Sequence, residues 1–513
     1  MSFRSVAGSV VEWLDTALDQ HFSNFLFVDQ RYGSDSVMRR VLSLARKLNY
    51  QSLLIEEISE ADCALLAEEN AALRLRRPDF LQSIVHRLSF FKTRAGQQPG
   101  HDDFLGYVVF KRDEFSSPPP RCSHVYECII TTARNAPENN FIHCHRTYEV
   151  RTTAGIFRVT GVLYAQQNDL TFVCAHVGLR TALSVMLPEG DITYARLNAL
   201  AGVDHQARKV GGGGGLEPAE FETIFQSLGV NFQKLVHEPS QQLLLPTEFQ
   251  RDLYGFIESG CPALMGFELD TQTRHVIPVF GHTFNEDTWL PDAQRAYFGG
   301  SVSYYPSENW LSSFVVHDDN FGPYYCLPRS FLKKENFRLI YGLKPEPTPL
   351  GAVEAEAVAF DYVRAIANRF GPRGEDWYDR FTVFAKSGWL VLRTQLVRKD
   401  DYLAHVEGIR DWNEVALEPE RIAALRNRLP ESFWMAEASA PELFASSRRK
   451  FGELLVAANQ PLPKPLDITL LIAARLPGLS LVNNRSALDV KESAQQGHTP
   501  LFNRPGRSEV VAC

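Results

Sequence analysis

A cysteine at position 174 is the residue of this chain best placed to act as a nucleophile. It opens an apolar, helix-patterned run that extends to Leu183. The unpaired N–H groups and the macrodipole at a helix N-terminus favour a thiolate, so we expect a lowered pKa for this thiol. Because the thiolate is the nucleophilic form of cysteine, this position predicts covalent catalysis through sulfur.

A histidine and an acid follow this cysteine, at separations of about 100 and then 43 residues. His275 opens the predicted strand HVIPVFG, and Asp318 ends the predicted strand SSFVVHD, next to Asp319. A histidine at the start of a buried strand can be held with its ring toward a neighbouring helix. An acid on its other ring nitrogen would fix the tautomer and stabilise the imidazolium. These residue types in this order predict a Cys-His-Asp triad, with Asp318 or Asp319 as the acid.

Residues 160–335 resemble the papain-like cysteine peptidases of the double-glycine, bacteriocin-leader-processing branch. That family shows a glutamine and then a nucleophilic cysteine that opens a helix. A histidine with a glycine six residues on and an aspartate with a glycine four residues on come later, and this chain has both glycines at those offsets. The resemblance implies a papain-like fold, with Cys174 as nucleophile, His275 as general base and acid, and Asp318 as the orienting residue.

The resemblance also implies an amide that stabilises the oxyanion. The family carries its glutamine six residues before the cysteine, where this chain has Asn168, while Gln167 and Gln166 lie seven and eight residues before Cys174. We predict that Gln167 is the donor, brought into place by a one-residue bulge, and Asn168 is the alternative. The implied activity is hydrolysis of a peptide or protein substrate through a thioester intermediate, regulated by the flanking domains.

Two other functions stay open for the same residues. A transglutaminase-like or other amide acyltransferase would use the same triad with an amine as acceptor. Alternatively, the chain has a peptidase fold that has lost its catalytic activity and acts as a protein-interaction module. The glutamine is displaced from the position it has in the family, and this displacement keeps that alternative open. His282 competes with His275 for the role of base. Zinc ligation is conceivable at His143, His145 and His176, but no second cluster at zinc-like spacing accompanies them, so we predict no metal and no cofactor.

The elements that must position these residues divide the chain into four regions. Residues 1–150 are predicted to be helical and then β-rich, 151–340 to form the peptidase domain, 345–482 a mixed α/β domain, and 483–513 a disordered tail. Helices first and a strand cluster second indicate an α+β fold. Helical spacing of apolar residues predicts helices over Ser36–Leu48, Ser59–Leu75, Ile192–Leu200, Pro218–Leu228, Thr247–Ser259, Ala352–Phe370, Pro419–Leu429 and Ala440–Ala457.

The composition is that of a globular protein of several domains. The 513 residues are 44% hydrophobic, and the net charge of −8 argues against a nucleic-acid-binding surface. We find no apolar run that could span a membrane and no secretory signal. Eight cysteines without a CxxC pair predict neither a disulfide framework nor a zinc module, and hence a cytoplasmic location. The predicted partners are a peptide or protein substrate and a protein that contacts the N- or C-terminal region, with no nucleic acid or membrane.

Overall fold

The computed structural model shows an α+β protein built on three large sheets of five, eight and seven strands. None of the helices it describes is both long and apolar enough to cross a bilayer. Residues 211–215 are a glycine run whose composition is typical of a flexible loop, and they lie outside the described residues up to position 214. The structure describes residues 2–15, 36–117, 123–131, 140–204, 215–236, 248–268, 274–287, 303–331, 337–416, 419–463, 468–484, 488–504 and 508–509.

A five-stranded antiparallel sheet with two helices forms the N-terminal region. Its elements are α1 (Ser36–Lys47), α2 (Ala64–Arg76), β1 (Ser9–Asp15), β2 (Ser52–Glu57), β3 (Phe80–Phe91), β4 (Phe104–Phe115) and β5 (Ser123–Ile130). The strands pair in chain order from β1 to β5. The sequence predicted that helices come first in this region, whereas β1, β2 and most of β3 lie before residue 90. Most of β2 is buried on both faces, so its apolar residues lack the alternation that marks a half-exposed strand.

The boundary predicted at residue 150 falls inside a β-hairpin. Strand β7 (Arg146–Thr152) pairs antiparallel with β8 (Gly155–Gly161). One hydrophobic cluster contains Phe3 from the N-terminal region and both Leu183 and Tyr341 from beyond the boundary. The two regions therefore share a core, and the chain passes between them through paired strands rather than through a linker.

The eight-stranded sheet carries the predicted histidine and acid, and the cysteine lies on a helix packed against it. Its elements are β6 (Asn140–Ile142), β9 (Asn231–Val236), β10 (Ala263–Glu268), β11 (Arg274–Phe284), β13 (Leu311–Asp318), β14 (Gly322–Pro328), β15 (Phe337–Lys344) and β24 (Ser508–Glu509), with helices α3 (Cys174–Met186), α4 (Tyr194–Ala201), α5 (Pro218–Ser227) and α6 (Glu248–Glu258). The strand order is β14-β13-β11-β10-β15-β9, and β6 pairs with both β11 and β24. Helix α3 begins at Cys174 as predicted, and it contacts β10 and β11.

The C-terminal region is built on the seven-stranded sheet. Its elements are β12 (Tyr305–Pro306), β16 (Val391–Arg398), β17 (Ser432–Ser439), β19 (Gly452–Ala457), β20 (Leu471–Leu476), β21 (Leu479–Asn483) and β22 (Leu488–Glu492), with helices α7 (Ala352–Phe370), α8 (Asp376–Ser387), α9 (Lys399–Gly408), α10 (Pro419–Arg426) and α11 (Pro441–Ala445). Helix α7 has the predicted bounds. The predicted helix over Ala440–Ala457 is wrong, because only α11 is helical and β19 follows it. Every residue of β19 is buried, so its apolar residues lack the alternation that would distinguish a strand from a buried helix.

The prediction of a disordered tail from residue 483 is wrong for the part of it that the structure describes. Strand β22 pairs with β21, and β23 (Thr499–Pro500) pairs with β18 (Arg449–Lys450). The side chain of Phe502 is buried against α9 and β17. The partners of β23 and β24 lie far away along the chain, so the polar composition of the segment carries no sign of them.

The cysteines correct one further expectation. Cys326 in β14 is disulfide-bonded, although the sequence predicted no disulfide framework. Disulfides form and persist mainly in oxidising compartments. The cytoplasmic location therefore stays a prediction, and one cysteine of the chain weighs against it. Five other cysteines are free thiols, at Cys63, Cys128, Cys144, Cys174 and Cys261.

Candidate active site

Cys174 lies at the exposed end of an otherwise buried helix. It is the first residue of α3, and Val173 before it is extended, with φ −128° and ψ 179°. The next ten residues of the helix are all buried, whereas Cys174 itself is partly exposed. Burial raises the pKa of each of the other four free thiols that the structure describes. Among those free cysteines, Cys174 is thus the one that solvent and substrate can reach.

His275 is the second residue of β11 and stands between the thiol and two carboxylates. Its ring interacts with the thiol of Cys174, and this interaction helps to raise the pKa of the histidine. On the other side, Nε2 lies 3.4 Å from Oδ2 of Asp318 and 3.3 Å from Oδ1 of Asp319. Because Nε2 faces the carboxylates, Nδ1 is the ring nitrogen left for the thiol. The structure therefore brings Cys174, His275 and both candidate acids together.

These contacts decide the protonation of His275. Burial by itself would lower the pKa of this histidine, since it penalises the charged ring. The hydrogen bonds with Asp318 and Cys174 and the charge of Asp319 outweigh that effect and raise the pKa to about 10. At neutral pH the ring is therefore an imidazolium, which can supply a proton.

Asp318 is held in place by the turn that follows β13. Its Oδ1 accepts hydrogen bonds from the backbone N–H groups of Asn320 at 2.8 Å and Phe321 at 3.1 Å. The turn closes at Gly322, whose φ of 101° lies in the region that favours glycine. Burial opposes ionisation of Asp318, but the hydrogen bond and the charge of His275, with these two N–H groups, lower its pKa. Asp318 is therefore an ionised carboxylate in a fixed orientation.

Asp319 differs from its neighbour in how its oxygens are satisfied. Oδ1 accepts a hydrogen bond from the Asn320 side chain at 3.3 Å, whereas Oδ2 is buried and has no hydrogen-bond partner among the described residues. Burial raises the pKa of Asp319 to about 6, against the attraction of His275. Both carboxylates face His275, but Asp318 is the one fixed by the N–H groups of Asn320 and Phe321 and ionised well below neutral pH.

The three candidates for the oxyanion donor have different surroundings. The side-chain oxygen of Gln166 accepts from the backbone N–H of Val125 at 2.8 Å. Both polar atoms of the Asn168 side chain form local hydrogen bonds. Its Oδ1 accepts from the backbone N–H groups of residues 170, 171 and 172, and its Nδ2 donates to Thr171. Gln167 between them is only partly buried. Gln167 therefore stays the predicted donor on its partial exposure.

No protein-family model, curated protein or solved structure matches this chain. The chemistry of the site therefore follows from its own geometry. A partly exposed thiol at a helix N-terminus contacts a buried imidazolium, and two carboxylates lie behind that ring. Such an arrangement can activate sulfur as a nucleophile and hold a proton for a leaving group.

The other histidines considered from the sequence lie elsewhere. His282, the competing base, has Nε2 2.5 Å from Glu258, and His143 lies 3.4 Å from the same carboxylate. His176 is buried in α3, where Nδ1 accepts from the backbone N–H of Val173 at 3.5 Å. None of these contacts involves Cys174, and the structure does not pair His143 with His145 as metal ligands.

Two groups of side chains have the spacing of metal ligands. Their ligand atoms lie within 4.8 Å of one another, in one group formed by His143, Glu258 and His282 and in another formed by His275, Asp318 and Asp319. In the first group, Arg393 already neutralises Glu258. In the second, the contact of His275 with the Cys174 thiol is what a nucleophile–base pair requires.

Three residues that the sequence did not single out hold the site together. Arg40 in α1 donates to the carbonyl oxygens of Pro323 at 3.2 Å and Tyr324 at 2.6 Å, next to the Asp318 turn. The hydroxyl of Tyr164 donates to the Asp318 carbonyl at 3.3 Å, and Arg180 in α3 contacts Glu127 in β5 at 2.6 Å. Their partners are far away in the chain, so no local sequence signal could have found them.

Proposed function

We propose that this protein is a cysteine peptidase that hydrolyses a peptide or protein substrate through a thioester intermediate. One observation carries the proposal: the ring of His275 interacts with the thiol of Cys174, and Nε2 of that ring faces Asp318 and Asp319. Removing the thiol proton to a base that a carboxylate orients is the arrangement that nucleophilic catalysis by cysteine requires.

The first half of the reaction forms the thioester. His275 holds the proton from Cys174, and the thiolate attacks the carbonyl carbon of the scissile bond to form a C–S bond. The oxyanion accepts hydrogen bonds from the backbone N–H of Cys174 and from the amide of Gln167. The C–N bond then breaks as His275 gives its proton to the leaving amine.

The second half consumes one water molecule. His275, now neutral, takes a proton from water while the oxygen attacks the thioester carbon. The C–S bond breaks, the acyl group leaves as a carboxylic acid, and the proton on His275 restores its pairing with the thiolate. Asp318 stays ionised throughout and stabilises the imidazolium that forms in each half.

Alkylation of the full-length protein by iodoacetamide at pH 7, mapped by mass spectrometry, tests the nucleophile. We expect Cys174 to react at least about ten times faster than Cys63, which also precedes a helix but is buried. His275→Gln should remove that advantage. His282→Gln should not, because its ring contacts Glu258. Equal rates at Cys174 and Cys63, or no effect of His275→Gln, would contradict the proposal.

A second experiment separates hydrolysis from acyl transfer. A mixture of synthetic peptides is incubated with the protein in ¹⁸O-labelled water, with and without a primary amine. Hydrolysis places one ¹⁸O in each new carboxyl terminus, whereas an acyltransferase links the amine instead. Cys174→Ala should form neither product. Absence of both products with the wild type, despite rapid alkylation of Cys174, would count against peptidase activity.

A further inference from the structure

Helix α1 of the N-terminal region packs against the first residues of β14, which follow the Asp318 turn. Arg40 on this helix donates from Nε to the carbonyl oxygen of Pro323 at 3.2 Å and from Nη2 to that of Tyr324 at 2.6 Å. The hydrocarbon stem of Arg40 covers Gly322, since a Cβ built at that glycine would lie 2.9 Å from Cγ of the arginine. One side chain of α1 thus holds three consecutive residues of β14.

Tyr324 has a strained backbone conformation that this contact helps to hold. Its φ is 52°, in the left-handed region that a bulky residue rarely adopts. Its buried hydroxyl donates to the carbonyl oxygen of Ile130 at 3.0 Å and accepts from the backbone N–H of Val162 at 3.1 Å. Such a conformation persists only where surrounding contacts impose it. The N-terminal region imposes part of it, through Arg40 in α1 and Ile130 in β5.

The backbone held in this way is continuous with the turn that orients Asp318. Strands β13 and β14 pair antiparallel, with Asp318 opposite Gly322. Oδ1 of Asp318 accepts from the backbone N–H groups of Asn320 and Phe321, so its orientation follows the backbone of the turn. Oδ2 lies 3.4 Å from Nε2 of His275. Because that distance is longer than the usual range for a hydrogen bond, a small shift of the turn is enough to break the contact.

We propose that α1 controls the reactivity of Cys174 by clamping the Asp318 turn, with Arg40 as the positioning residue. The inference rests on the proposed function, because the reactivity in question is that of Cys174 with His275. While Arg40 holds Tyr324, the carboxylate faces the imidazolium, which stabilises the thiolate. Without that contact, Tyr324 relaxes toward an ordinary φ and the carboxylate moves away from the ring. Helix α1 is therefore the element through which the N-terminal region acts on the site.

A double-mutant cycle on the full-length protein tests whether Arg40 acts through Asp318. Alkylation of Cys174 by iodoacetamide at pH 7 is measured in the wild type, Arg40→Gln, Asp318→Ala and the double variant. We expect Arg40→Gln to slow alkylation by about three- to ten-fold, the effect of a lost hydrogen bond, but by less than about two-fold in the Asp318→Ala background. An effect that does not pass through Asp318 would slow both backgrounds by the same factor, so equal factors overturn the proposal.

Arg39→Gln is the matched control, because Arg39 is the exposed neighbour of Arg40 on α1 and its loss removes the same charge. It should leave the rate at Cys174 within about two-fold of the wild type. Equal rates in Arg39→Gln and Arg40→Gln overturn the proposal.

Arg40→Lys is a milder variant of the same contact. It keeps the charge and the stem over Gly322, but a single nitrogen replaces the guanidinium fork that reaches two carbonyl oxygens. Cys63 reports on the fold of each variant, because its thiol is buried. If Arg40→Gln exposes Cys63 to alkylation, the cycle is measured with Arg40→Lys, for which we expect the same dependence on Asp318.

Failure of this inference and failure of the proposed function give different results. Loss of selectivity for Cys174 over Cys63 in the wild type would contradict the proposed function. The role of Arg40 is read from the rates at Cys174 alone, compared among the four proteins of the cycle.

Discussion

Arg393 in β16 donates two hydrogen bonds to Oε2 of Glu258 at the end of α6, from Nε at 2.9 Å and from Nη2 at 2.5 Å. Both side chains are almost fully buried. Arg393 also contacts Glu437 at 2.8 Å, so these charges join α6, which packs on the eight-stranded sheet, to the seven-stranded sheet. Residues 344–349, whose proline-rich polar composition is typical of a linker, therefore separate two regions that a buried charge contact holds together.

Loss of the Glu258 charge should destabilise the whole protein. Glu258→Gln leaves Arg393 buried with one carboxylate partner fewer. Breaking a buried ion pair in this way lowers the free energy of unfolding by about 3–5 kcal/mol. Glu407→Gln is the matched control, because Glu407 forms an ion pair with Arg426 in which both side chains are about half exposed. That change should cost at most about 1 kcal/mol. Urea denaturation measures both, and equal losses would show that the buried pair contributes no more than the surface pair.

The two carboxylates behind His275 should differ in their effect on Cys174. Asp318→Ala removes a charged hydrogen-bond acceptor of the imidazolium, an interaction worth about 1.5–3 kcal/mol. We therefore expect alkylation of Cys174 at pH 7 to slow by about ten- to a hundred-fold. Asp319→Ala at pH 5 should slow it far less, because the pKa of about 6 leaves Asp319 mostly neutral there. A larger effect from Asp319→Ala would exchange the roles of the two residues.

The rate of alkylation should rise through pH 6. Asp319 ionises there, and its new negative charge stabilises the imidazolium of His275 and with it the thiolate. In Asp319→Asn this step should be absent, while the rest of the pH profile is kept. Rates measured between pH 4.5 and 8 for both proteins test this, and an unchanged step in the variant would assign it to another group.

Stability should depend on His275 in alkaline solution. Its pKa is about 10 in the folded protein against an ordinary 6.5, so the folded state holds the proton more tightly. The charged ring therefore stabilises the fold fully below pH 6.5, and that contribution is lost as the pH rises to about 10. The stability difference between wild type and His275→Gln should shrink across this window in urea titrations. A constant difference would mean that His275 titrates normally.

The segment 160–335 should not fold by itself. Its helix α3 places Arg180 against Glu127, and Gln166 accepts from the backbone of Val125, both outside the segment. Without Glu127, Arg180 keeps only part of its buried ion pairing. We expect the isolated segment to show no cooperative thermal transition and no selective alkylation of Cys174, in contrast to the full chain. Cooperative unfolding of the segment would show that the N-terminal region is dispensable.

The sequence by itself determined the local elements whose apolar residues repeat at helical spacing. Helix α7 has the predicted bounds at Ala352 and Phe370, and α3 begins at the predicted Cys174. In both cases one stretch of chain contains the whole signal, because helical hydrogen bonds join residues four apart. The residue types and the spacing of Cys174, His275 and Asp318 could also be read directly from the sequence.

Tertiary structure alone decided what depends on distant partners. The described part of the segment after residue 483 forms strands because β18 and β21 pair with it, and its own polar composition does not reveal these partners. Likewise, no spacing rule could show that both Asp318 and Asp319 face His275. Strand pairing and side-chain packing join residues far apart in the chain, so their outcome is set by the folded core and not by any local pattern.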